Sequence, residues 1–229
     1  MTRRGRLPAE QRAAREHAIL DAAVDELVAV GVEHLTMQAV AVRARASKET
    51  LYRWFADRDG LLRAVIERAA DQSATRVMTA FEEPLPEDPE AARRAAQEVL
   101  TEYGTALLRL LTGEPSLALN RAAMATPALR AVLLESGRRR IGPVVESALT
   151  RLDSAGLLDL TRLGGPARAF EILYGLIVRD IQIRVLLGDV PPAEPECVDR
   201  ARTAVGLFWQ LAECPQPGAG EGGMSEGWR

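Results

Sequence analysis

Apolar residues three and four positions apart are the feature that most limits what this chain can become. From Ala9 to Val30 the set Ile19, Leu20, Ala23, Val24, Leu27 and Val28 recurs at that spacing, which places side chains on one face of a helix of 3.6 residues per turn. The pattern continues through nearly every later segment, in stretches rich in the helix formers Ala, Leu, Arg and Glu. No stretch alternates with the period of two that a half-buried strand needs. The expectation is an all-α protein.

Punctuation residues divide it. The first helix closes at Gly31, a plausible C′ glycine. Thr36 can N-cap a short helix to about Ala44, and Ser47 a second to about Phe55. A longer helix follows over about 59–82, ended by the proline- and acid-rich "EEPLPEDPE", 82–90. Further helices are expected near 89–112, 115–124, 127–153 (kinked by Pro143), 166–188 and 195–213. The Gly/Pro-rich 214–229 lacks periodicity and reads as a disordered tail.

Composition narrows the function classes. No apolar run approaches the roughly 18–20 residues that span a bilayer, and the arginine-rich start is not followed by a signal-peptide core. A cytoplasmic protein without membrane contact is the expectation. Cys197 and Cys214 lack CxxC spacing, and the histidines are His17 and His34 only. Neither a metal nor a cofactor is expected, and the cysteines read as ordinary thiols. A Gly-rich phosphate loop, a nucleophile elbow and a Cys–His pair are all missing, which argues against an all-helical enzyme. Net charge is −3, but unevenly spread: residues 1–63 hold 11 Lys+Arg against 9 Asp+Glu, the remainder 18 against 23. A mildly basic head on an acidic body fits a nucleic-acid reader joined to a regulatory or dimerisation unit.

The head holds the densest chemistry. In "SKETLYRWF", 47–55, stand Tyr52, Trp54 and Phe55, three of ten rings in 229 residues, beside Lys48, the single lysine. Two short helices and a tight turn after a longer helix make a helix-turn-helix, 35–54. Ala41 is the small residue at the crossing, and Leu51, ten residues on, anchors the second helix. Leu35, Val40, Leu51 and Phe55 then form one apolar face with Ile19, Val24 and Leu27. Because successive helical residues lie about 100° apart, Trp54 must diverge from Tyr52 and Phe55. A ring at a helix edge can pack beneath while its polar end meets a phosphate. Lys48 stands at the helix N-terminus, where backbone N–H groups favour anions.

"LTMQAVAVRARASKETLYRWFADRDGLL" resembles the DNA-binding module of the TetR family of transcriptional regulators. Thr36, Val40, Ala41, Ala44, Ser47, Thr50, Leu51, Tyr52, Trp54, Phe55 and Leu62 carry the match in fixed register. Two positions depart from the pattern: Arg45 replaces the turn glycine, and Arg58 an expected lysine. The resemblance implies a basic arm at 1–11, a DNA-binding domain at 12–72, and a ligand-binding and dimerisation domain at 73–213. It assigns Thr36, Tyr52 and Arg58 to the DNA backbone and Gln38, Lys48, Thr50, Arg53 and Trp54 to the groove. Arg45 and Ser47 complete the expected DNA-binding set, with Arg45 able to reach a phosphate. "RRGR", 3–6, can follow the minor groove or be a solvated leader.

The later segment from "LLRLLTGEP" to "VVESAL" is similar to the C-terminal domain of the AefR-like branch. Polar groups among apolar helices are the pocket candidates for an unknown small-molecule effector: Tyr103, Arg109, Asn120, Met124, Tyr174 and Asp180. "RRR", 138–140, reads as a solvated face. Residues 170–186 are apolar on more than one side, so a homodimer interface is expected through Leu173, Leu176, Ile177 and Ile181. Val205, Phe208 and Trp209 form the companion stripe. The function expected is a sequence-specific DNA-binding regulator, a repressor released from a palindromic operator by its ligand. A ligand-independent DNA-binding protein is the alternative, which a solid body without a cavity would favour.

Overall fold

A computed structural model describes residues 9–82, 84–136 and 138–213, and every regular element among them is helical. The first helix, α1 (Ala9–His34), is broken near its end by Gly31, whose φ of 75° lies where only glycine is unstrained. Helices α2 (Met37–Arg43) and α3 (Lys48–Phe55) start at the predicted caps. Thr36 Oγ1 accepts from Ala39 N at 3.1 Å, and Ser47 Oγ from Thr50 N at 3.2 Å. Helix α4 (Arg58–Glu82) begins where Asp57 Oδ1 accepts from Gly60 N at 2.8 Å. It runs unbroken through residue 72, where the domain boundary was expected.

The rest comprises α5 (Pro89–Thr112), α6 (Glu114–Ala125), α7 (Pro127–Ser136), α8 (Arg138–Ser154), a 3-10 turn at Leu160–Leu163, α9 (Pro166–Val178), α10 (Ile181–Leu186) and α11 (Glu194–Ala212). The segment expected over 127–153 is helical up to Ser136 and from Arg138 onward, and Pro143 lies within α8 without ending it. The single helix expected over 166–188 is two. Arg179 takes φ 46° between them, and Arg200 of α11 donates Nε to Ile177 O (2.9 Å) and Nη2 to Val178 O (3.2 Å). An arginine from a neighbouring helix thus satisfies the carbonyls that a continuous helix would have used itself. Of the arm expected at 1–11, residues 9–11 belong to α1, while residues 1–8 and the tail at 214–229 lie outside the described residues.

Two cores form. The head core gathers Ile19, Leu27, Leu35, Val40, Leu51 and Leu62 with Leu119, Ala122 and Leu129 of α6 and α7. The body core gathers α5, α8, α9, α10 and α11. α4 and α6 are shared between them: α4 packs on α1 at one end and on α7 and α8 further along, and α6 packs on α1 and α5.

The body core absorbs most of the residues expected at a subunit interface. Leu173, Ile177 and Phe208 are fully buried within one chain, Trp209, Val205 and Ile181 nearly so, and Leu176 half-buried. The apolar residues on several sides of α9 are covered by α5, α8 and α11 of the same chain. These buried positions have no surface left for a partner.

Candidate nucleic-acid interface

Helix α3 is eight residues long, too short to be stable alone. Leu51, fully buried, and Phe55 hold it to the head core, which leaves Lys48, Glu49, Tyr52 and Arg53 exposed on the opposite side. Lys48 Nζ lies 5.7 Å from the centroid of the Tyr52 ring, which is 46% exposed, so a phosphate held by the lysine would be supported by the ring below. Gln38 of α2 is exposed on the helix that precedes the turn. Thr36, Ser47 and Thr50 contribute through caps: the Ser47 and Thr50 hydroxyls sit 2.8 Å apart and are partly committed to ordering the start of α3.

Two expected contacts have partners within the chain. Trp54 is half-buried and packs edge-on to Phe55, centroids 6.4 Å apart at 74°. The guanidinium of Arg12 lies over the Trp54 ring at 5.6 Å. Trp54 is thus shared between Phe55 and Arg12. Arg58, partly exposed, donates Nη1 to Val32 O at 3.1 Å, capping the end of α1 that Gly31 disrupts, and its Nε lies 3.6 Å from Asp59 Oδ1.

Arg12 and Arg15, which the sequence pattern did not single out, belong to this face. Arg15 Nη2 donates to the carbonyl of Arg45. That carbonyl belongs to the turn residue that stands in place of glycine and adopts φ 51°. A non-glycine residue there costs roughly 1 kcal/mol, and the bond from α1 fixes the strained turn. Arg45→Gly should accordingly raise the unfolding free energy by about 1 kcal/mol, a few degrees of melting temperature in a chain of this size. A variant that melts lower than the parent would show that the turn is not strained. The signal for Arg12 and Arg15 was present in the sequence: a helix starting by Ala9 puts them about one turn apart at its N-terminal end.

Two family models match the chain: "Bacterial regulatory proteins, tetR family" over residues 19–65, and "AefR-like transcriptional repressor, C-terminal domain" over 98–211. The crystal structure of a TetR transcriptional regulator from Agrobacterium tumefaciens is 34% identical, covers 87% of this chain and 94% of that one, and superposes with a TM-score of 0.70. The chain belongs to the TetR family of transcriptional regulators. The flavonoid-responsive regulator FrrA (20% identity, 88% of this chain and 98% of that one, TM-score 0.61) shares the fold. So does a TetR family transcription regulator from Marinobacter aquaeolei VT8 (19%, 90% and 99%, TM-score 0.56). No curated protein matches the chain. As a TetR-family regulator it is a DNA-binding protein. No described helix is long and apolar enough to cross a membrane, and no described cluster of His, Cys, Asp and Glu could hold a metal.

In this TetR-family body the expected pocket residues do not converge. Arg109 pairs with Glu194, Asn120 Nδ2 donates to Ser116 O at 2.8 Å, Met124 is 58% exposed at the end of α6, and Asp180 is exposed 3.9 Å from Arg200. Tyr103 and Tyr174 are neighbours, and burial with the nearby Tyr174 phenol pushes the Tyr103 hydroxyl well above its ordinary pKa. That hydroxyl is buried without a hydrogen-bond partner. An unsatisfied buried donor costs about 1–3 kcal/mol, so Tyr103→Phe should raise thermal stability. Unchanged or lower stability in calorimetry would mean that the hydroxyl has a partner.

Among the described residues, open space lies along α4 and α8. A cleft of about 370 Å³ runs between Met78 and Phe81 of α4 and Val144, Ser147, Ala148 and Arg151 of α8. A smaller pocket of about 80 Å³ shares Phe81, Ala148 and Arg151 and reaches Leu85, Val99 and Leu152. Cys197 is buried in the body core, and burial raises its thiol pKa, which keeps it protonated and unreactive near neutral pH.

Proposed function

We propose that this TetR-family regulator is a cytoplasmic homodimeric repressor, not an enzyme, that leaves a palindromic operator when a small molecule occupies its body. The exposed polar face of α3, held on the buried Leu51, carries this reading. Lys48, Arg53 and Arg45 border the face with Arg12 and Arg15 from α1, while Glu49 is the one carboxylate within α3. Such a cationic rim around a protruding helix suits the major groove, with phosphate contacts fixing register and α3 reading bases. In this proposal Gln38, Lys48, Tyr52 and Arg53 touch DNA, and Thr36, Ser47 and Thr50 order the helix starts.

Dimerisation is proposed through the outer faces of α9 and α11, which pack on each other. On α9 that face is Ile172, Gly175 and Leu176, and on α11 Thr203, Gly206, Leu207, Gln210 and Leu211, all at three- and four-residue spacing. Gly175 and Gly206 stand mid-helix, where glycine is unfavourable by about 1 kcal/mol. A Cβ at either would meet nothing within 4 Å. Their own chain does not require them to be small, whereas close approach of a second copy does.

Selecting fragments of the source genome with the full-length protein, then titrating the enriched duplex, tests the reading. Lys48→Ala should weaken binding without changing the melting curve and should lower the slope of log K against log salt by about 1. Equal affinity and slope in the variant would remove Lys48 from the interface. Failure to enrich any fragment would remove sequence-specific binding itself.

A further inference from the structure

We propose that the α4–α8 cleft binds a hydrophobic carboxylate, its chain against Phe81 and Ala148 and its carboxylate on Arg151. This deepens the effector-release reading and rests on it for the regulatory consequence, though not for the binding. The cleft of about 370 Å³ and the pocket of about 80 Å³ behind it meet at Phe81, Ala148 and Arg151. The larger volume is within the range of small-molecule sites, roughly 300–1,000 Å³. Apolar side chains dominate both walls, and among the described lining residues Arg151 alone is charged. A cation beside an apolar slot matches a molecule with a long apolar part and one anionic end.

Arg151 also explains how occupancy would be felt. Its Nη1 donates to the carbonyl of Phe81, strapping α8 to the last turns of α4. A carboxylate is a stronger, bidentate partner for a guanidinium than a neutral carbonyl. Capture of the guanidinium by a ligand carboxylate frees the Phe81 carbonyl, while the apolar chain enters between Phe81 and α8. The other end of α4 is tied to the head: Arg68 Nη1 lies 3.0 Å from His17 O and 2.8 Å from Asp21 Oδ1, and Arg58 holds Val32 O. α4 follows α3 after two residues, Ala56 and Asp57. A shift at Phe81 is thus carried about 35 Å along one helix to the base of the recognition helix.

Full-length protein titrated calorimetrically with sodium decanoate and with decanol, both below aggregation, tests the site. Decanoate should bind and decanol bind more weakly. Arg151→Gln should weaken decanoate about ten- to hundredfold and leave decanol unchanged, and Arg151→Lys should restore most of the loss. Ser147→Phe, at an exposed position lining the cleft, should abolish binding of both with an unaltered melting curve. Absence of decanoate binding, or binding untouched by Ser147→Phe, overturns the site. Equal binding of decanol with no effect of Arg151→Gln overturns the anionic class. Decanoate that binds as expected without changing affinity for the enriched duplex leaves the site standing and refutes effector release. Release by another compound in the Ser147→Phe variant leaves effector release standing and refutes this cleft as its site.

Discussion

Alanine at position 51 should lower the melting temperature by roughly 5–15 °C and eliminate DNA binding at protein concentrations that saturate the parent. Leu51 is fully buried in the head core, and Leu→Ala at such positions costs about 2–5 kcal/mol through lost transfer energy plus the cavity left behind. In a chain of this length each kcal/mol is worth about 2–4 °C. The loss is also local. α3 buries only Leu51 and Phe55, and an eight-residue helix has no stability of its own to fall back on. With one anchor gone, α3 should open below the global transition and its amides should exchange faster than those of α1 and α4. Lys48→Ala, on the exposed side, changes neither melting nor exchange, so the pair separates holding the helix from using it. A Leu51→Ala protein with parental melting and parental affinity would show that α3 is held by something other than this side chain.

How much of this was legible in the sequence depends on whether an interaction is local. The caps at Thr36 and Ser47, the anchor Leu51 and the outward Lys48 follow from spacing within one or two turns, and the structure places them as the pattern predicts. Trp54 and Arg58 each have a partner distant in sequence that spacing does not show. Arg12, 42 positions upstream, covers the indole, and Val32, 26 positions upstream, takes the guanidinium. The break at Arg179 follows from Arg200 in another helix, which helix propensity cannot register. The same limit applied to the pocket: polar residues on apolar helices mark candidates, but Arg109, Asn120 and Met124 face different neighbours. The cleft is formed by α4 and α8, whose contact no periodicity reveals.

The buried stripe and the outer stripe of α11 should respond in opposite ways to substitution. Trp209→Ala removes one of the largest fully buried side chains of the body core, 1% exposed, and should cost about 3–5 kcal/mol. That is a large part of the 5–15 kcal/mol typical of a folded protein, so the variant should melt far lower and aggregate rather than form a stable monomer. Leu207 and Leu211, at 38% and 48% exposure, touch solvent in the single chain. Changing both to Glu there disturbs little of the protomer's own packing. Across a two-fold contact the same change sets four carboxylates in an apolar patch, and burying unpaired charge is prohibitive. The double variant should sediment at half the parental mass with unchanged helicity, and it should lose binding to a two-half-site operator because one recognition helix cannot supply both contacts. A double-Glu protein that stays dimeric would place the interface on another face. A Trp209→Ala protein that sediments as a stable folded monomer would return Trp209 to the interface and remove it from the core.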